Sequence, residues 1–298
     1  MSTSNEAMAE APTLAQRRGG GTLWPTLRAI YIIWYRDVLR FWRDRARLTV
    51  TFAQPLLYLV IFGTGLSSAL SGAGGFGGPG APAGFSYTQF IFPGIIGMSV
   101  LFGSMFAAVS IVWDREFGFL KEVLVAPIDR SAVAIGKALG GATQAMAQGL
   151  ILLVLAPFVG VKLTFLSVIT LIPLVFVLAF ALSAMGVAIA SRMRSMQGFQ
   201  MVMNFLMMPM FFLSGALFPL SGLPGWMTFL TRIDPAAYGI DPLRRTLLEG
   251  AGMPQQILDR MSITIGGNVI PVIAEAGILL AFGIVVLGIA VRNFRVRD

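Results

Sequence analysis

The chain has 298 residues, 56% of them hydrophobic and 12% charged, with 22 Lys and Arg against 14 Asp and Glu. A soluble protein carries about 25% charged residues, so at a mean hydropathy of +0.79 the lipid bilayer is the expected solvent. Cysteine and histidine are both absent, which excludes disulfides, thiol chemistry, Cys/His zinc sites and every histidine-based triad.

Residues 1–22 are polar and rich in Ala, Gly and Arg, without the apolar core of a signal peptide, and are expected to form a disordered cytoplasmic tail. The segment 23–47 places Trp24, Leu27, Tyr31, Trp34, Val38 and Phe41 at steps of three or four, with Arg36, Arg40, Arg43 and Arg47 on the other side. That spacing predicts an amphipathic helix lying in the membrane interface, its alternative being a helix packed on a partner. Residues 48–298 then hold six apolar runs of about 20 residues, the length needed to cross a bilayer. They are Leu48–Leu70, Phe90–Trp113, Val133–Gly160, Phe165–Ala190, Phe199–Leu220 and Ile270–Val291.

With the N-terminus inside, the cytoplasmic segments hold 17 of the 22 basic residues and the outer segments five. The positive-inside rule therefore places both termini in the cytoplasm and accounts for most of the basicity without nucleic acid. All five tryptophans, Trp24, Trp34, Trp42, Trp113 and Trp226, fall at the expected headgroup levels. The run "GAGGFGGPGAPAG" between the first two spans contains Gly-x-Gly-x-x-Gly, but no strand precedes it and no helix opens from it. It is expected to be an outer loop and not a nucleotide site.

Between spans two and three lies "WDREFGFLKEVLVAPIDR", residues 113–130, seven of them charged. Read as a short cytoplasmic helix from Asp114, it aligns Phe117, Leu120 and Leu124 on one side; Gly118 weakens it and Pro127 ends it. The loop is too short to cover this stripe itself. Either neighbouring spans cover it or a partner does.

The stretch "REFGFLKEVLVAPIDRSAVAIGKALGG" resembles the cytoplasmic motif of type 2 ABC-exporter permeases, in which an acidic residue, Gly, an apolar stretch, Pro and a basic residue lead into Gly-Lys. A second stretch, "FFLSGALFPLSGLPGWMTFLTRIDPAAYGIDPLRR", is similar to the family's run of Ser-Gly, Phe-Pro, Leu-Pro and Trp, followed by Pro-x-x-Tyr and an Asp near an Arg. The likeness spans nearly all of the chain after the first 20 residues and points to the daunorubicin-resistance-like drug and lipid exporter branch. It implies an all-α membrane protein of six transmembrane helices with an interfacial N-terminal helix, a coupling helix between spans 2 and 3, and re-entrant or interfacial outer helices between spans 5 and 6. It also implies a permease that dimerises, more as a homodimer than a heterodimer, and binds two copies of a separate ABC ATPase. Glu116, Gly118, Leu120, Leu124, Pro127 and Arg130 match the coupling motif and Lys137 its Gly-Lys; Arg115 heads the stretch, and Phe117 and Phe119 add aromatic anchors of this chain's own. No Gly-x-x-x-x-Gly-Lys-Ser/Thr occurs, since Gly136-Lys137 is followed by Ala138, so ATP and Mg are expected on the partner and no cofactor or metal on this chain.

Within the spans, Gln54, Gln144, Gln148 and Asn204 must find partners away from lipid tails, either in neighbouring helices or along a substrate wall. Met207, Met208, Phe211 and Phe212 lie in a methionine-dense fifth span that suits a hydrophobic cargo or simply fills a core. Pro209 and Ser214-Gly215-Ala216 suggest a kink and then a close helix approach. "LPGWMTFLTR" and "YGIDPLRRTLLEG" are predicted outer helices, the second with Asp241 as N-cap and Pro242 as its first residue. By the resemblance, Trp226, Tyr238, Asp241 and Arg244 belong to an outer gate. Glu275 is the one ionisable residue deep in a span, with a water cavity or a simple hydrogen bond as its expected setting.

The expectation is a permease subunit of the inner (cell) membrane, not itself an enzyme, that exports an amphipathic drug-like or lipid-like compound with a partner ATPase. Polysaccharide or glycolipid export is the alternative within the family. An intramembrane lipid-modifying enzyme or a proton-coupled secondary transporter are the alternatives from other classes.

Overall fold

The computed structural model describes residues 23–71, 85–117, 129–220, 222–265 and 268–296. The expected disordered tail, the glycine-rich outer loop and most of the charged insert lie outside the described residues. What is described is predominantly helical, with a single two-stranded hairpin, β1 (Thr264–Ile265) and β2 (Asn268–Val269), paired antiparallel.

Helix α1 (Leu23–Arg43) breaks at Asp44, short of the predicted 23–47, and α2 (Arg45–Ser71) follows at once. The apolar side of α1 is not wholly given to lipid. Ala29, Ile33, Asp37 and Phe41, at steps of four, are buried, and α1 packs chiefly on α5. Trp24, Leu27, Tyr31 and Tyr35 remain exposed, which suits a bilayer interface.

The second span is α3 (Tyr87–Ala107) continued by α4 (Val109–Glu116). Ser86 and Gln89 cap its start reciprocally, each taking an N–H that the first helical turn leaves without a partner. Helix α5 (Arg130–Leu153) is capped by Asp129, whose Oδ1 accepts the N–H of Ser131 at 3.0 Å. After α5 come α6 (Phe165–Ala190) and α7 (Met196–Leu213), then the shorter helices α8 (Gly225–Ile233), α9 (Ala237–Gly250) and α10 (Gln255–Met261), and finally α11 (Val272–Val296).

Among the described residues five segments are long and apolar enough to cross a membrane: Leu48–Ala69, Tyr87–Glu116, Phe165–Ala190, Met196–Leu213 and Val272–Phe294. The predicted third span is not among them. It ends at Leu153, not Gly160, because a 3-10 turn (Ala156–Val159) containing Pro157 follows and Gly160 takes a left-handed φ of 81°. Helix α5 is rich in Gly, Ala and Gln and lies between α1, α3 and α6, so neighbouring protein, not lipid, covers most of its surface.

The predicted fifth span, Phe199–Leu220, also stops early. Ser214 closes α7, its Oγ donating back to the carbonyl of Phe211, and Gly215 turns the chain at φ 76°. The predicted close approach is present: a Cβ on Gly94 of α3 would lie 2.2 Å from the Ala216 carbonyl, so only glycine fits. The core is built mainly by α3, α5 and α6, with α2, α7 and α11 largely exposed around it.

Candidate functional site

At one end of the bundle, α4 and α5 frame the charged insert. Arg115 turns inward, its Nη1 donating to the carbonyls of Ser191 at 3.0 Å and Met193 at 2.8 Å. Glu116 accepts the N–H of Met196 at 2.9 Å. The last turn of α4 is thereby tied to the polar corner between α6 and α7. Phe117 is 64% exposed and its ring lies 5.7 Å from that of Trp113. Arg130 opens α5. Gly118, Phe119, Leu120, Leu124 and Pro127 lie outside the described residues.

Lys137 sits beneath this frame and is not presented at the surface. It is buried, with Nζ 3.2 Å from carboxylate oxygens of Asp37 on α1 and Asp114 on α4, and donating to the Ser110 hydroxyl at 3.0 Å. A buried ammonium needs such compensation, and here it joins three helices. Gln144 adds a fourth tie by donating to the main-chain carbonyl of Asp37 at 3.1 Å.

Beside this cluster a vestibule of about 600 Å³ opens between α1, α2, α3, α4, α5 and α7, lined by Asp37, Arg40, Trp113, Gln144 and Gln200 among others. A narrower recess of about 140 Å³ adjoins it between α2, α3 and α5 and shares Val50, Thr51 and Phe106 with it. Three residues expected on a substrate wall are here: Gln144 lines the vestibule, Gln54 and Gln148 the recess. The expected fifth-span residues are not brought to it. Met207 and Phe211 are buried, Phe211 against Phe102 at 6.3 Å between rings, while Asn204, Met208 and Phe212 face outward from the bundle.

At the opposite end, α9 is buried against α3, α6 and α11. Asp241 and Pro242 fall inside this helix, which begins at Ala237, so Asp241 is not the N-cap. Asp234 supports the start of the helix instead, accepting the N–H of Ala236 at 2.9 Å. Burial pushes the Asp234 carboxyl up to about 8, with that hydrogen bond opposing. Asp241 accepts the N–H of Ile263 at 3.1 Å; burial raises its carboxyl, opposed first by Arg245 and then by Arg244. Arg244 donates to the Gly215 carbonyl and lies 4.6 Å above the Phe90 ring. Tyr238 donates to the Arg232 carbonyl at 2.8 Å, and Trp226 is exposed.

Glu275 is neither a simple hydrogen-bond acceptor nor a water-cavity residue. It is fully buried, with Oε2 2.6 Å from Nη2 of Arg245, and the same nitrogen lies 3.3 Å from Asp241 Oδ2. Arg245 also donates to the Ile270 carbonyl at 2.8 Å. A helix from the long segment between α7 and α11 is thus pinned to α11 by one arginine shared between two carboxylates.

A family model described as ABC-2 type transporter matches residues 28–248, which takes in the insert, the Lys137 cluster, the cavities and most of α9. The chain belongs to that family. Among curated relatives, this ABC-2 permease is 26% identical over 220 residues to a putative transport permease, ycf38, of Cyanophora paradoxa, covering 73% of each chain. It is 27% identical over 272 residues to the inner membrane transport permease YadH of Escherichia coli (strain K12), covering 87% of this chain and 90% of the other. It is also 26% identical over 220 residues to nodulation protein J of Rhizobium meliloti (strain 1021), covering 72% and 80%. The family is one of transport permeases and not of catalytic enzymes, and its members typically work with an ATPase subunit.

Three members of these clusters were missed in sequence. Asp37 is not singled out by the sequence, Asp114 serves only as the start of the insert helix, and Arg245 counts only among the basic residues of the expected outer segments. The available signal for Asp37 was its place on the same face as Ile33 and Phe41, four residues either side.

Proposed function

We propose that this permease forms the membrane half of an ATP-driven exporter that moves an amphipathic, drug-like or lipid-like compound out of the cell. Two copies pair, each engaging one of two ATPase subunits through the 113–130 insert, in the inner membrane with both termini cytoplasmic. Counting α5 as a crossing helix shielded by its neighbours brings the spans to six and puts the insert and the termini on one side. ATP and Mg belong to the partner.

The observation that carries this reading is the framing of the insert. Force applied there meets α4 and α5, which are tied to α1 through Lys137 and to the α6–α7 corner through Arg115 and Glu116. The vestibule lies against the same elements, so motion of the insert would reshape it. At the far end, Trp226, Tyr238, Asp241 and Arg244 would form the exit gate. Pairing is supported by Met201, Phe205, Met208 and Phe212, an exposed apolar stripe along α7.

The test is ATP-dependent uptake of a fluorescent amphiphile into inverted vesicles carrying the permease and its ATPase. Replacing Gly118 by Trp, or Phe117 and Leu120 together by Asp, is expected to abolish uptake and ATPase co-purification while membrane insertion persists. Unchanged uptake and co-purification in these variants would refute the coupling role.

A further inference from the structure

The recess between α2, α3 and α5 holds two polar side chains that the protein leaves unanswered. Gln148 is 1% and Ser99 is 3% exposed, and among the described residues neither the Gln148 Oε1 nor the Ser99 Oγ has a hydrogen-bond partner. Polar atoms that far from bulk water are ordinarily paired, so their occurrence on two helices that line one recess points to a ligand that pairs them. The rest of the wall is apolar or neutral, including Pro55, Met98 and Phe102, and no charged group among the described residues lines the recess.

Gly103 shows that the amide has a made place. A Cβ there would lie 2.1 Å from Gln148 Oε1, so glycine leaves the space the amide occupies. Alanine would push the end of a flexible side chain aside without displacing backbone.

We propose that this recess binds a compact, neutral head group carrying hydroxyl or N–H donors, on an apolar body that extends into the vestibule. The acceptor oxygen of Gln148 selects a donor, and the absence of a cation disfavours carboxylates and phosphates. Size narrows the class further. A cavity of about 150 Å³ admits benzene, so a recess of about 140 Å³ takes a phenol-sized ring and not a full sugar. That the occupant is cargo rests on the export reading above; that it binds does not.

The test uses the full chain in nanodiscs with tritiated 4-hexylresorcinol, and tritiated hexylbenzene as the partner lacking donors, after subtraction of partition into empty nanodiscs. The diol is expected to bind saturably and hexylbenzene roughly tenfold more weakly, as fits the loss of two hydrogen bonds. Gln148→Met and Gly103→Ala are each expected to weaken the diol about 3- to 10-fold and leave hexylbenzene unchanged. Gly103→Ala keeps the test open should Gln148→Met misfold. Hexyl glucoside is expected to compete poorly, and competition equal to the diol's would overturn the size assignment. No saturable binding, or full diol binding in both variants, would overturn the site. Normal ATP-driven export without diol binding sinks the site and spares the export reading. Diol binding by a chain that supports no ATP-driven export does the reverse.

Discussion

Replacing Arg245 by Met would leave Asp241 and Glu275 facing each other in a closed space. The arginine Nη2 lies 2.6 Å from Glu275 and 3.3 Å from Asp241, and the three side chains are at most 7% exposed. Removing one partner of a buried pair costs about 3–5 kcal/mol, because the remaining charge cannot recover its hydration. Here two carboxylates are stranded, and the Ile270 carbonyl loses its donor as well, so Arg245→Met belongs at the upper end of that range. Glu275→Gln keeps the side-chain shape and leaves Arg245 paired with Asp241, for a cost of about 1–3 kcal/mol. In the double variant one stranded charge is gone, and its stability should lie above that of Arg245→Met alone. Thermal unfolding of the purified, detergent-solubilised permease reads this directly. At about 2–4 °C per kcal/mol, Arg245→Met should lower Tm by roughly 10 °C and Glu275→Gln by about half as much. Equal losses in the two single variants, or strictly additive losses in the double, would show that the three groups do not act as one cluster.

The Lys137 cluster makes a parallel case at the other end. Lys137→Met should cost about 3 kcal/mol and loosen α1 from α5, seen as faster amide hydrogen exchange across residues 23–43, with Asp37→Asn restoring part of the protection; unchanged exchange would contradict the tie. Asp234 supplies a pH dependence whose sign follows from its raised carboxyl. The folded protein holds the proton up to about 8, whereas the unfolded chain releases it near the ordinary aspartate value of about 4. Its contribution is therefore fully present below about pH 4 and is lost as pH rises through about 8. Tm of the wild type should fall over that window more than Tm of Asp234→Asn, and parallel profiles would count against a buried, protonated carboxyl.

The two ends of the molecule differ in how much could be read in advance. At the insert, Pro127, Gly118 and the flanking charges lie within one short stretch, so their pattern is visible as a motif. In the vestibule, the i, i+4 pair Gln144 and Gln148 marks one helix face, and both line the cavities. Asn204, Met208 and Phe212 looked equally suitable and face outward, because composition reports that a span is adaptable but not which way it is turned. The N-cap expected at Asp241 failed for a related reason. Asp before Pro is a good local start signal, but the buried surface of α9 extends it back to Ala237, and its interior Asp is held by Arg245 and the Ile263 N–H.

What the residues determine alone is the solvent, the apolar segments and the family, because each depends on composition and spacing within one segment. The 17-to-5 division of basic residues likewise sets the expected orientation without any fold. Tertiary structure alone decided that α5 is sheathed by other helices, that Lys137 answers an aspartate 100 residues away, and that Glu275 shares Arg245 with Asp241. Those outcomes depend on which helix faces meet. A charge of either sign on a local pattern carries no address for its partner until packing brings the two into the same low-dielectric space.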